Sequence, residues 1–145
     1  MSLEPENKVT NVRYSLKKFF VDNIEIKRGI NVYFDRSLTP KSPDKDIDRW
    51  MLFALGGIVP AVVSEMPITI HVLSRRDIEG DDIAEMLDIL LEELHPGFIP
   101  FYDADTKVQI GGFKVFLDPM EGFSYTWDDT KIQNMFITIK WGAIW

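Results

Sequence analysis

The residues whose chemistry could serve a reaction are two histidines, several carboxylate groups and two glycine pairs. His71 lies in the alternating run PITIHVL and His95 stands just before Pro96-Gly97, and no motif links them. A catalytic or ligand pair needs a third group at a defined spacing. The plain reading puts His71 on a sheet face and His95 at a helix end, where an imidazolium favours the negative end of the dipole. Asp44-Lys45-Asp46-Ile47-Asp48 has the odd-position carboxylates that open a calcium loop. Arg49 stands where that loop needs glycine and Leu55 where it needs a bidentate glutamate, so the segment is a solvated charged turn. Asp103 and Asp105 form a loose pair without a third partner. Gly56-Gly57 and Gly111-Gly112 have neither the glycine-and-lysine pattern of a P-loop nor the dinucleotide fingerprint. No serine sits in a nucleophile elbow. Glu79, Glu85, Glu92 and Glu93 belong to a solvated helical stretch, which does not supply the geometry of paired-carboxylate catalysis. There is no cysteine, which excludes disulfides, thiolate metal sites and a cysteine nucleophile. The chain is therefore expected not to be an enzyme and to carry no cofactor or metal.

The elements that would position any site are organised around residues 67–95. Ile68, Ile70 and Val72 alternate with Thr69, His71 and Leu73, the period-two pattern of a half-buried strand. Pro67 is placed at the strand start, where its missing N–H does least harm. Residues 74–80 are polar and charged and turn at the surface. Asp81 or Asp82 is expected to cap a helix over Asp81–Leu94. Ile83, Leu87, Leu90, Leu91 and Leu94 make one apolar face, with Met86 at its border. Pro96-Gly97 ends the helix.

Before this unit, residues 1–9 are polar and expected to be flexible. Thr10 or Asn11 is expected to cap a first helix ending near Asn23, with Val12, Leu16, Phe19 and Phe20 as its apolar stripe. Residues 30–35 form a short strand with Val32 and Phe34 on one face. Residues 36–46, RSLTPKSPDKD, form a long loop. Loops of that length are commonly mobile or used for binding. Residues 47–64 form one bent strand, two strands or a hairpin, broken at Gly56-Gly57. After the central helix, residues 97–106 are expected to be an aromatic loop. Residues 107–117 form a strand with a bulge at Gly111-Gly112, and 118–129 a turn-rich connector. Residues 133–141 form a long strand in which Met135, Ile137 and Ile139 oppose Phe136, Thr138 and Lys140.

These elements predict a single α+β domain over 1–145, a mainly antiparallel sheet with two helices packed on one face. The other sheet face, carrying Thr69, His71, Thr138 and Lys140 among large apolar groups, is a candidate meeting place for subunits. At 145 residues and 46% hydrophobic the chain can bury a core without metal or disulfide. No apolar run reaches membrane-spanning length, so no membrane partner is expected. A net charge of −7 repels phosphates, so no specific nucleic-acid contact is expected either, despite a basic cluster at Lys17, Lys18, Lys27 and Arg28.

The order of elements carries a resemblance. An N-terminal helix, a strand, a long loop, a strand containing Trp50, the 67–72 strand, a charged corner, the acidic Asp81–Leu94 helix and a final long strand over 135–141 resemble the tail terminator (tail-completion) proteins of long-tailed bacteriophages. The resemblance covers nearly the whole chain as a pattern of elements. It implies a structural protein without an active site. That protein assembles as a homo-oligomeric ring, usually a hexamer, on the end of the tail tube, stops tube growth and joins tail to head. The implied partners are the chain itself, the tail tube protein and a head-completion protein. The implied place is the virion tail, reached through the host cytoplasm during assembly. An acidic wall would let DNA slide through such a ring. Candidate contact residues are Arg36, Leu38, Lys41 and Lys45 in the long loop, Arg49 and Trp50 after it, and Phe101, Tyr102, Tyr125 and Trp127 in the aromatic connectors, because aromatic and arginine side chains supply much of the affinity at protein contacts. Two other readings are open: a small-molecule-binding domain or enzyme with a pocket lined by loop aromatics, and a nucleic-acid binder using the basic cluster.

Overall fold

A computed structural model describes residues 4–35, 47–77, 79–118, 125–127 and 130–142, the side chains of 125–127 excepted. Its centre is a pair of 13-residue strands, β3 (Val63–Arg75) and β7 (Thr130–Gly142). They pair antiparallel along their whole length, from Val63 opposite Gly142 to Arg75 opposite Thr130. Both are rich in β-branched residues and alternate buried with half-exposed positions, as a two-faced strand must. β1 (Asn31–Phe34) and β2 (Arg49–Leu55) extend the sheet on the β3 side. β5 (Gln109–Leu117) and β4 (Phe98–Tyr102) extend it on the β7 side, giving the order β1-β2-β3-β7-β5-β4. The β1–β2 pair is parallel and the other pairs are antiparallel. A short β6 (Tyr125–Trp127) pairs with the first residues of β7 on the edge that β5 uses further along. The fold is α+β with a mostly antiparallel sheet, as the sequence predicts.

Helices α1 (Val9–Phe20) and α2 (Asp81–Leu94) cover one face of this sheet. Val12, Leu16 and Phe20 from α1, and Ile83, Met86, Leu87, Leu90 and Leu94 from α2, meet Met51, Phe53, Ile68, Ile70, Val72, Met135, Ile137 and Ile139 in one core. Phe20 packs on Phe53 with ring centroids 4.2 Å apart, and Phe101 stacks on Phe113 at 4.5 Å. Helix α1 does not stop at Asn23. It widens into a π-helical turn, Val21–Ile26, and ends at Gly29 in the left-handed region. The reason is legible: Val12, Leu16, Phe20 and Ile24 recur every fourth residue and all are buried. In an α-helix that spacing drifts by roughly 40° per step, and a wider turn returns Ile24 to the core side.

Both helix starts differ from expectation. Asn11 is buried inside α1 and caps nothing. Its Nδ2 donates to the Pro5 carbonyl at 3.1 Å, and its Oδ1 accepts the Ala104 N–H at 3.0 Å, tying the helix to the β4–β5 connection. At α2 the residue before the helix is Gly80, left-handed at φ 82°, and neither Asp81 nor Asp82 caps. Asp77, further upstream and buried, accepts the Ile83 N–H at 3.0 Å. The left-handed glycine folds the chain back so that this carboxylate reaches the open end of the helix.

Of the alternatives for residues 47–64 the hairpin holds: β2 and β3 pair antiparallel, joined through 56–62, with β3 running on to Arg75. Other strand expectations are corrected. Pro67 lies inside β3 rather than at its start. Leu55 opposite Ile68 is the last pair of the β2–β3 ladder, and Gly56 then donates to the Pro67 carbonyl at 2.9 Å. Pro67 has no N–H to return, so the ladder ends there. A Cβ on Gly56 would stand 2.6 Å from that carbonyl oxygen, so the approach requires glycine. Finally, most of the 97–106 stretch is strand β4. Ile99 and Phe101 are buried and alternate with Phe98, Pro100 and Tyr102, and Pro100 is tolerated because β4 is an edge. The bulge in its partner falls at Ile110, beside the glycine pair, since Phe101 opposes Gly111 and Tyr102 opposes Gln109. Part of the 118–129 connector is likewise strand β6.

Candidate functional site

The sheet face that carries no helix is built from the second set of alternating side chains. On β3 and β7 these are Glu65, Pro67, Thr69, His71 and Leu73 opposite Lys140, Thr138, Phe136, Asn134 and Ile132. The face divides into three parts. At one end Trp50, Leu52, Leu73 and Ile132 form a small buried cluster with Tyr33 and Ile47 packed against it. In the middle, His71 Nδ1 lies 2.6 Å from Asn134 Oδ1, so the Nδ1–H tautomer donates to the amide oxygen. This places His71 on a sheet face, satisfied by its cross-strand neighbour.

The third part is a corner of exposed aromatic and basic groups. Register places Lys140 beside Lys114 and Thr138 beside Phe116, and Phe98 opposes Lys114 on the next strand. Phe98 is 48% exposed and Phe116 45%. The Phe98 ring lies over Gly112, where a Cβ would come within 1.9 Å of a ring carbon. Lys140 Nζ lies 5.0 Å from the centre of the Phe116 ring and 3.7 Å from Glu65. Lys114 is exposed and has no acidic partner among the described residues. Like charges directly across two strands repel.

The helix side of the molecule is acidic and largely internally paired. Lys27 and Arg28 both bind Glu93 Oε1, at 2.8 and 2.9 Å, and Arg28 also reaches Glu92 at 2.6 Å. Burial pushes the Glu93 carboxyl up, but the two cations outweigh it and hold it below the ordinary value. Lys18 pairs with Asp22 at 2.9 Å, and Lys17 lies over the Phe34 ring. The basic cluster of the sequence is thus largely engaged within the chain, which disfavours its use as a phosphate-binding patch. Asp77 shows the same contest as Glu93. Burial raises its carboxyl, and the N–H groups of Ile83 and Asp82 at the open end of α2 bring it below the usual range.

The sequence-derived contact candidates are scattered. Arg36, Leu38, Lys41 and Lys45 lie outside the described residues. Arg49 turns onto α2, with Nη1 3.3 Å from Glu85. Trp50 and Phe101 are each 1% exposed, so neither can serve as a surface anchor. Trp50 fills the small cluster on the helix-free face, and Phe101 fills the core against Phe113 and Trp141. Tyr102 is half-buried: its N–H donates to Ser15 Oγ at 2.7 Å and Lys18 lies over its ring. Tyr125 and Trp127 are backbone members of β6. The exposed corner of Phe98 and Phe116 was not singled out from sequence. The signal was present in the alternation on either side of Gly112, hidden by reading β4 as a loop. The β2–β3 connection was also overlooked as a surface. Val59, Val62 and Val63 are exposed there, Val62 to 84%. Beside it, Val9, Val12, Leu55, Ile58, Pro60 and Met66 wall a pocket of about 360 Å³ with Arg13 as its one charged residue.

No protein-family model matches the chain, and no curated protein matches it. One solved protein, whose designation states no function, superposes on 96% of this chain and 98% of its own, with a TM-score of 0.66. The two sequences are 11% identical. The likeness is one of fold.

Proposed function

We propose that the chain is a structural subunit of a phage virion that forms a homo-oligomeric ring at the end of the tail tube, ends tube growth and joins tail to head. The observation that carries the reading is the helix-free sheet face, where half-exposed Phe98 and Phe116 stand among charged groups at a corner of the sheet. Aromatic residues ringed by polar ones are the composition of a protein contact rather than of a solvated surface. The resemblance of element order to tail terminators supplies the kind of assembly, and the α+β fold is compatible with it. On this reading the partners are further copies of the chain, the tail tube protein and a head-completion protein. The chain performs no reaction. Sedimentation at rising concentration, alone and with tube protein, tests it. A particle several times 16.8 kDa is expected, and a strict monomer under every such condition rejects the reading.

A second reading, a small-molecule-binding domain, rests on the pocket beside the β2–β3 connection. Its volume of about 360 Å³ is at the small end of ligand sites and its lining is mostly apolar. A metabolite screen read by thermal shift would reveal a ligand, and silence across a broad screen counts against this reading.

A further inference from the structure

The ring reading leaves open which surface meets which, and two surfaces of this chain complement each other. One is the corner of the helix-free face: Phe98, Phe116 and the facing lysines Lys114 and Lys140. Glu65 answers only one of those charges, through Lys140. The other is the outer side of α2, where Asp81, Glu85, Asp88 and Glu92 recur at helical spacing and all are exposed. Arg49 and Arg28 engage Glu85 and Glu92. Asp81 and Asp88 have no cationic partner among the described residues. Ile26, next to the Lys27 that binds Glu93, is exposed and offers apolar area.

Sheet edges are the usual alternative for self-association, and here each edge has backbone groups engaged by the chain's own side chains. On β4 the Tyr102 N–H donates to Ser15 Oγ, and Pro100 removes another donor from the strand. On β1 the Val32 N–H donates to Glu25 Oε1 at 3.4 Å. Side chains that satisfy edge groups, and proline on an edge, oppose strand addition.

We infer that the occupant of the helix-free corner is the acidic face of α2 from a second copy of this chain. The inference deepens the ring reading and rests on it. Because the two surfaces lie on opposite sides of one sheet, the contact is heterologous: each copy uses its corner toward one neighbour and its helix toward the other. Such a contact closes into a ring or runs on as a filament, according to the rotation it imposes. The acids neutralise the facing lysines, and the aromatic pair loses its exposure.

The test is sedimentation velocity at low ionic strength on wild type, Lys114→Glu, Asp88→Lys and an equimolar mixture of the two variants. Neither residue has a charged partner among the described residues, so both variants should fold, and circular dichroism checks this. Each variant alone is expected to associate about tenfold more weakly or worse, because like charges then meet at every junction. The mixture is expected to recover association, since alternating copies restore opposite charges at each contact. Added salt should weaken the wild-type assembly. Variants that assemble as wild type does, or a mixture that fails to recover, overturn this docking surface and leave the ring reading standing. A wild type that is monomeric throughout overturns both. Open filaments in electron micrographs, with the charge swap working, support the surface and reject the terminator reading.

Discussion

The two faces of the sheet use the same strands and the same alternation, yet they do different work. On the helix-covered face nearly every large apolar side chain is buried, in one core shared with α1 and α2. On the helix-free face the alternating set is split: a buried cluster at one end, a hydrogen-bonded polar pair in the middle and exposed aromatics at the other. The covered face therefore sets stability. The open face retains apolar area that the monomer does not bury, and that surplus is what the ring reading rests on. Substitutions that separate the two roles are the way to test the division.

The largest effect is expected in the covered face. Phe113 is fully buried, with the Phe101 ring 4.5 Å and the Trp141 ring 5.2 Å from its own. Phe113→Ala should cost about 3–5 kcal/mol of unfolding free energy, from lost transfer energy and the cavity left between two rings. Urea denaturation measures this. A loss below about 1 kcal/mol would mean that this side of the sheet is not packed as described.

A smaller effect belongs to Asp77, which holds the start of α2. Asp77→Ala should cost about 1–2 kcal/mol, the usual loss for a helix cap. Asp77→Asn keeps an acceptor and should recover much of that. Asp77 and Glu93 also fix a pH dependence. Both carboxyls are held below their ordinary values of 3.8 and 4.5 in the folded chain. Their contribution is therefore complete above the ordinary carboxylate values. It falls as pH drops below them and is gone once pH passes the lowered folded values. Stability of wild type should decline on acidification through this window. The decline should be shallower in Asp77→Asn, measured by denaturation at a series of pH values. An equal slope in both proteins would show that Asp77 is not titrating against the helix start.

Much of the fold could be read from the chain because its strongest patterns are local. The strand containing Ile68, Ile70 and Val72, the apolar face of α2 and the alternation of 133–141 each specify an element by themselves, and all three are present. Errors fell where a local rule met a tertiary one. Asp81 is a good cap by type, but the left-handed Gly80 let Asp77 take the role from a distance. Pro67 suggested a strand start, but a central strand tolerates proline where its neighbour has ended. Pro100 and the aspartates of 103–105 made a loop of what is an edge strand. The placement of the candidate contact residues was the least legible part. Trp50 and Phe101 were chosen by residue type, and type does not say which face of a strand a ring occupies or whether another element covers it. That depends on register across four strands, which no single segment encodes.

The sharpest comparison is the smallest in stability. Phe116 lies on β5 as Phe113 does, three residues on and therefore on the opposite face. It is exposed where Phe113 is buried. Phe116→Ala removes the same ring from the same strand, but one that is nearly half exposed and lies beside the Lys140 ammonium. Its effect on unfolding free energy should stay within about 0.5 kcal/mol. If the open face is a contact, the loss appears instead in association, where truncating a half-exposed aromatic anchor weakens binding by about 1–2 kcal/mol, or roughly tenfold. Denaturation and sedimentation on the same preparation separate the two. A Phe116→Ala protein that is much less stable would make the ring part of the monomer's own packing. One with unchanged stability and unchanged association would leave the exposed corner without a role in self-contact.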